Sequence, residues 1–141
     1  MATIRELNEN DDAKFGLSFP LRYDVNNGGF FPTTKRLKEQ AASNLKNLLL
    51  TSKGERMGQP EFGSDLPDIL FEPITDGIGS AIETTINEVV TQWLPYLTIQ
   101  NVFVTTPEES PNSVMVQIEF TVDLDDPNSV EVLTLNFNSG I

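Results

Sequence analysis

The sequence predicts an α+β domain: two amphipathic helices packed on a small, mainly antiparallel C-terminal sheet, preceded by an extended N-terminal arm. Three observations lead there. Apolar residues recur at helical spacing in two separate segments, 37–49 and 74–93. After Pro95 the apolar period switches to two. A chain of 141 residues can bury roughly two-thirds of its unfolded surface, enough for one core. We divide it into an arm and extended segment, 1–31, and a single domain, 32–141.

Residues 1–14 are polar and charged and are expected to be mobile or docked on something else. Phe15, Leu17, Phe19 and Leu21 then alternate with Gly16, Ser18 and Pro20. Pro20 lacks a donor, which restricts that run to an edge strand or an extended arm. Asn26-Asn27-Gly28-Gly29 is a turn, because Asn and Gly accept positive φ at little cost.

Thr33 or Thr34 can N-cap a first helix running to about Thr51. Leu37, Ala41, Leu45, Leu48 and Leu49 form its apolar stripe, with Lys35, Lys38, Glu39, Asn44 and Lys46 opposite. Gly54 is read as the residue that closes it. Residues 52–73 form a compact loop, with a short helical piece from Asp65 to Phe71 that tolerates Pro67 in its first turn.

The second long helix is expected from Asp76 to Leu94, with Ile74, Ile78, Ile82, Ile86, Val89 and Trp93 on one face and Pro95 as its stop. Gly77 and Gly79 either weaken its first turn or let another backbone approach. Leu97, Ile99, Val102 and Val104 make a strand bulged near Asn101. Val114, Val116, Ile118, Phe120, Val122 and Leu124 alternate with polar residues, as a half-buried antiparallel strand does. In the last strand Leu133, Leu135 and Phe137 share one phase, and Val130 and Val132 the other. That means a bulge or a strand apolar on both faces.

Charge divides the chain. Nine bases and seven acids lie in residues 1–56, a net of +2, whereas 57–141 hold fourteen acids and no base. With no His and no Cys, a Ser-His-Asp triad, a Cys nucleophile, a thiolate or imidazole zinc site and a disulfide are excluded. The acidity disfavours nucleic acid and anionic membranes. No apolar run is long enough to span a bilayer, and the N-terminus has no apolar signal region. We expect no catalytic, cofactor or metal site.

Carboxylate pairs are the remaining acid/base machinery, and Glu55, Glu61 and Glu72 are the candidates. Caps, Arg56 partners or solvated surface explain them better. Asp123 to Asn128 fails as a calcium loop because Pro127 takes a ligand slot and no bidentate Glu follows. Lys53-Gly54 lacks the Gly-Lys-Ser/Thr order of a phosphate loop.

Two features call for more. Arg56 is the last cation before 85 residues without another, and a forked ion pair with Glu72 would orient the loop. The final strand, apolar in both phases at the end of a small sheet, is a candidate edge for strand addition.

The loop also carries a family likeness. Thr51-Ser52-Lys53-Gly54-Glu55-Arg56, then Pro60-Glu61-Phe62-Gly63-Ser64, then Leu66 and Leu70-Phe71-Glu72-Pro73 resemble the signature of the gene-25-like (GPW) family of baseplate wedge proteins. That family occurs in contractile-tailed phages, with relatives in type VI secretion baseplates. The likeness covers about residues 30–137 and makes Gly54, Glu55, Arg56, Pro60, Phe62, Gly63, Phe71, Glu72 and Pro73 motif positions.

The resemblance implies a structural virion protein, assembled in the host cytoplasm, that templates the first sheath ring by β-strand exchange. Its implied partners are other wedge and core-bundle proteins, tail sheath subunits, and tube or hub proteins. Val130, Val132, Leu133, Leu135 and Phe137 are the expected sheath-facing residues. The family carries Glu-Pro-Arg at the end of the second helix to dock on the core bundle, where this chain has Leu94-Pro95-Tyr96. The resemblance therefore implies either loss of that contact or an apolar version through Trp93, Leu94, Pro95 and Tyr96. The alternative function is a small carboxylate-only, lysozyme-like muralytic hydrolase.

Overall fold

Strict alternation along 113–122 sets the architecture: it gives one strand an apolar face, and everything else covers or extends that face. The computed structural model describes residues 14–19, 33–34, 36–71, 77–109, 113–123 and 128–138. Their order is β1 (Gly16–Leu17), β2 (Thr33–Thr34), α1 (Leu37–Leu50), α2 (Leu66–Phe71), α3 (Ile78–Trp93), β3 (Leu97–Thr105), β4 (Ser113–Val122) and β5 (Glu131–Asn138). This is an α+β fold with a three-stranded antiparallel meander, β3-β4-β5, and a separate two-stranded sheet, β1-β2.

Val114, Val116, Ile118, Phe120 and Val122 of β4 are all buried, together with Leu97 of β3 and Leu135 of β5. Their face meets Ala41, Leu45, Leu48 and Leu49 of α1 and Ile82, Ile86, Val89 and Val90 of α3 in one cluster. Each fully buried branched side chain there contributes about 1.5–3 kcal/mol. Helices on one side and solvent on the other make the two layers.

The expected bulge in β3 is present: the register shifts between Ile99 and Asn101, so Gln100 is the extra residue. β5 has none. Its pairing with β4 runs without a shift from Glu131↔Phe120 to Ser113↔Asn138. The two apolar phases therefore fall on opposite faces. Leu133, Leu135 and Phe137 pack toward the core, while Val132 is 58% exposed on the outer face and Val130, just before the strand, is 49% exposed.

Several local expectations are corrected. Thr33 and Thr34 do not cap α1; they form β2, opposite Leu17 and Gly16. The helix starts instead after extended Arg36, without a side-chain cap. Gly54 does not close α1, which ends at Leu50 with Thr51 as its C-cap; the Thr51 hydroxyl donates back to the Asn47 carbonyl at 2.6 Å. Among the described residues no backbone closes on Gly77 or Gly79, since a Cβ at either would meet nothing within 4 Å. The turn at 26–29, the strand residue Leu21, the arm 1–13 and Ile74 lie outside the described residues.

Acids of 57–141 pair with bases of 1–56. Asp65 meets Lys53 at 2.5 Å and Glu131 meets Lys38 at 3.7 Å. Both pairs tie the mildly basic first part of the chain to the acidic second part.

Candidate functional site

The loop between α1 and α2 is built as a closed ring of chain. Its ends meet where Ser52 and Ser64 form a parallel bridge and the Ser64 N–H donates to the Thr51 carbonyl at 2.8 Å. Inside it, Gly54 N–H donates to Pro60 O at 2.7 Å, Gln59 N–H to Arg56 O, and Phe62 N–H to Gln59 O. Such a loop is an Ω-loop: its own backbone bonds hold it, so its surface is free for other uses.

Two residues close the neck. Ser64 is fully buried; its hydroxyl donates to Leu49 O at 2.9 Å and accepts from Leu66 N–H at 3.4 Å. It satisfies a carbonyl left open at the end of α1 and a donor left open at the start of α2. Gly63 has φ +127, and a Cβ there would sit 2.5 Å from Thr51 O and 3.0 Å from the Ser52 carbonyl carbon. Only glycine fits.

The loop is also pinned to the end of α3. The Arg56 guanidinium carbon lies 3.9 Å from the centroid of the Phe62 ring. Phe62 meets Trp93, the last residue of α3, edge-on at 5.2 Å and 70°. A cation over a ring face and a T-shaped ring pair are both favourable electrostatic geometries. The Trp93 Nε1 is buried with no acceptor among the described residues. The expected Arg56–Glu72 pair involves a residue outside the described ones, as do Pro73 and the side chain of Phe71.

The turn after α3 is held from α1. Thr34 Oγ1 donates to Gln40 Oε1 at 2.5 Å, Gln40 Nε2 to Asn44 Oδ1 at 2.7 Å, and Asn44 Nδ2 to Tyr96 Oη at 2.9 Å. Thr34 Oγ1 also lies 3.3 Å from Gly16 O. This directed chain of bonds joins the β1-β2 sheet, α1 and the Leu94-Pro95-Tyr96 turn. Leu94 is buried in the core, Tyr96 and Trp93 are half-buried, and Pro95 is exposed.

Sequence reasoning missed the Arg56–Phe62–Trp93 stack, the Thr34–Gln40–Asn44–Tyr96 chain and the part played by Ser64. Of these, only the helical spacing of Gln40 and Asn44 leaves a sequence trace.

Among the candidate carboxylates, Glu55 Oε2 accepts the Ser52 N–H at 3.0 Å, closing the first turn of the loop. Glu61 is exposed on the same loop, and Glu72 lies outside the described residues. Among the described residues there is no cluster of acids able to hold a metal, and no helix is long and apolar enough to cross a membrane.

The placement of the strand-addition residues is uneven. Val130 and Val132 are exposed, Leu133 and Phe137 lean on the core, and Leu135 is inside it. Their backbone lies on β5, an edge strand with β4 as its one neighbour among the described strands.

The sequence profile of the family described as "Baseplate wedge protein gp25" matches residues 35–127. The chain is 33% identical over 97 residues to baseplate wedge protein gp25 of Enterobacteria phage T4, covering 69% of this chain and 72% of that one. Its fold is similar to the crystal structure of a putative tail lysozyme from Geobacter sulfurreducens, with TM-score 0.63 and 26% identity over 72% of this chain and 89% of that one. It is also similar to a chain of the anti-feeding prophage baseplate, with TM-score 0.57 and 19% identity over 89% of this chain and 85% of that one. The profile match takes in the Ω-loop, both long helices, β3 and β4, and on that ground the chain belongs to the baseplate wedge protein gp25 family, components of contractile-tail baseplates.

Proposed function

We propose that this wedge subunit starts the tail sheath by accepting or donating a β-strand at the outer edge of β5. The observation that carries the reading is the difference between the two edges of the meander. β3 is bulged at Gln100, and bulges spoil an edge for pairing. β5 is regular along all eight residues and presents Val132 to solvent. A straight edge with an exposed apolar residue suits strand addition, where main-chain bonds supply affinity and side chains supply register. Sheath subunits are the proposed partners at this edge. Wedge and core-bundle proteins are proposed at the Trp93–Tyr96 turn, with tube or hub proteins as further neighbours, and the arm 1–31 is read as a segment apart from the domain.

The role is non-enzymatic in this reading. Glu55 is engaged in a turn, and among the described residues no carboxylate lines the open groove beside the loop. A muralytic site would need two acids flanking a bond.

Proline substitution tests the strand reading. N–H groups alternate inward and outward along an edge strand, so of Val132→Pro and Leu133→Pro one removes only the outer donor. That variant is expected to keep the wild-type melting temperature and to enter baseplates, yet to block sheath assembly. Val132→Lys, which places a charge at the edge without touching the ladder, should also reduce it. Sheaths assembling normally on both would overturn the reading.

A further inference from the structure

Beside the Ω-loop lies an open groove of about 410 Å³, lined by Leu17, Ser18 and Phe19 from β1 and its exit, Gln40, Ser43, Asn44 and Asn47 from α1, and Arg56. Its volume falls in the ~300–1,000 Å³ range of pockets that bind small ligands. One wall is apolar, with Leu17 51% exposed. The other is a row of amides at helical spacing.

Gln40 and Asn44 are fixed in place by the bonds that run from Thr34 to Tyr96, and Asn47 continues their row along α1. Gln40 and Asn44 each give one of two N–H donors to that chain; among the described residues the second donor of each has no partner. Arg56 is fixed too, by its stack on Phe62. Its guanidinium carbon sits over the ring, and the exposed side chain lines the groove. Among the described residues the groove thus holds amide donors, an apolar wall and the Arg56 cation, with no anion in its lining.

We propose that this groove docks an extended, carboxylate-bearing peptide segment of a neighbouring subunit. Its main-chain carbonyls would accept from the Gln40, Asn44 and Asn47 amides, an apolar side chain would lie on Leu17 and Phe19, and a carboxylate would meet Arg56. Charge selects this occupant. In a chain of net charge −12, an acidic segment is repelled by most of the surface and is attracted where a cation stands without a lining acid. Immobilised donors lower the ordering cost that an extended segment brings to binding. The surface involves β1, α1 and the loop, so it is independent of the β5 edge.

The test is photocrosslinking in assembled baseplates carrying benzoylphenylalanine at Ser43, with the joined peptides sequenced by mass spectrometry. The expected product links Ser43 to another polypeptide within a few residues of an Asp or Glu. Arg56→Glu should lower its yield about tenfold, and replacing the identified acid by Arg should restore it. Asn47→Ala, which leaves the Phe62 stack intact, should lower it as well. Crosslinks confined to this chain or to a second copy of it, a joined segment without an acid, or a yield indifferent to Arg56→Glu would each overturn the proposal.

Discussion

Arg56 stands over Phe62, its guanidinium carbon 3.9 Å from the ring centroid, although five residues, Gly58 and Pro60 among them, lie between the two in the chain. The stack continues to Trp93 and so fastens the α1–α2 loop to the end of α3. The last cation of the sequence is held here by an aromatic face.

Phe62 should therefore matter more to stability than Arg56. Phe62→Leu removes the cation–π contact and the edge-on ring pair, for about 1–2 kcal/mol. Arg56→Lys keeps the charge over the ring and should cost no more than about 1 kcal/mol, because the side chain is exposed. Urea denaturation of the two variants checks the ranking.

The two left-handed glycines of the loop should respond differently. Gly63→Ala must push against the Thr51 and Ser52 backbone, which opens the neck and should cost about 3 kcal/mol or more. Gly54 has φ +90 but open space around it, so Gly54→Ala should cost only the ~1–2 kcal/mol of the backbone conformation. Thermal unfolding of both separates steric closure from φ strain.

Ser64→Ala leaves a buried carbonyl of Leu49 and the N–H of Leu66 without their partner. The expected loss is about 1–3 kcal/mol. Hydrogen exchange should show it first at Leu66 and its neighbours in α2, and an unchanged exchange rate there would reassign the hydroxyl to a minor part.

The strongly periodic elements were legible in the sequence. The Ile82–Ile86–Val89 face of α3, the alternation of β4 and the bulge in β3 all follow from apolar spacing, because burial of one face is what forms them. What escaped was set by tertiary contact. Thr34 looked like a cap because threonine oxygens cap helices, but pairing with Gly16 placed it in a strand. The Val132 phase left open whether β5 was bulged or two-faced, and only its partner strand could decide. The Arg56–Phe62 stack also escaped, because loop closure is what brings that ring to the cation. The motif itself was readable as a family signature; the reason for its glycine and serine was not, since both act at one point where two backbones meet.

The most direct measurement of the account is hydrogen exchange along β3 and β5 in baseplates before and after the first sheath ring forms. Strand addition at β5 predicts that its outward amides, among residues 131–138, slow by about tenfold or more, while the outer amides of β3 stay as they were. Unchanged exchange in β5 with a complete sheath ring in place would contradict it.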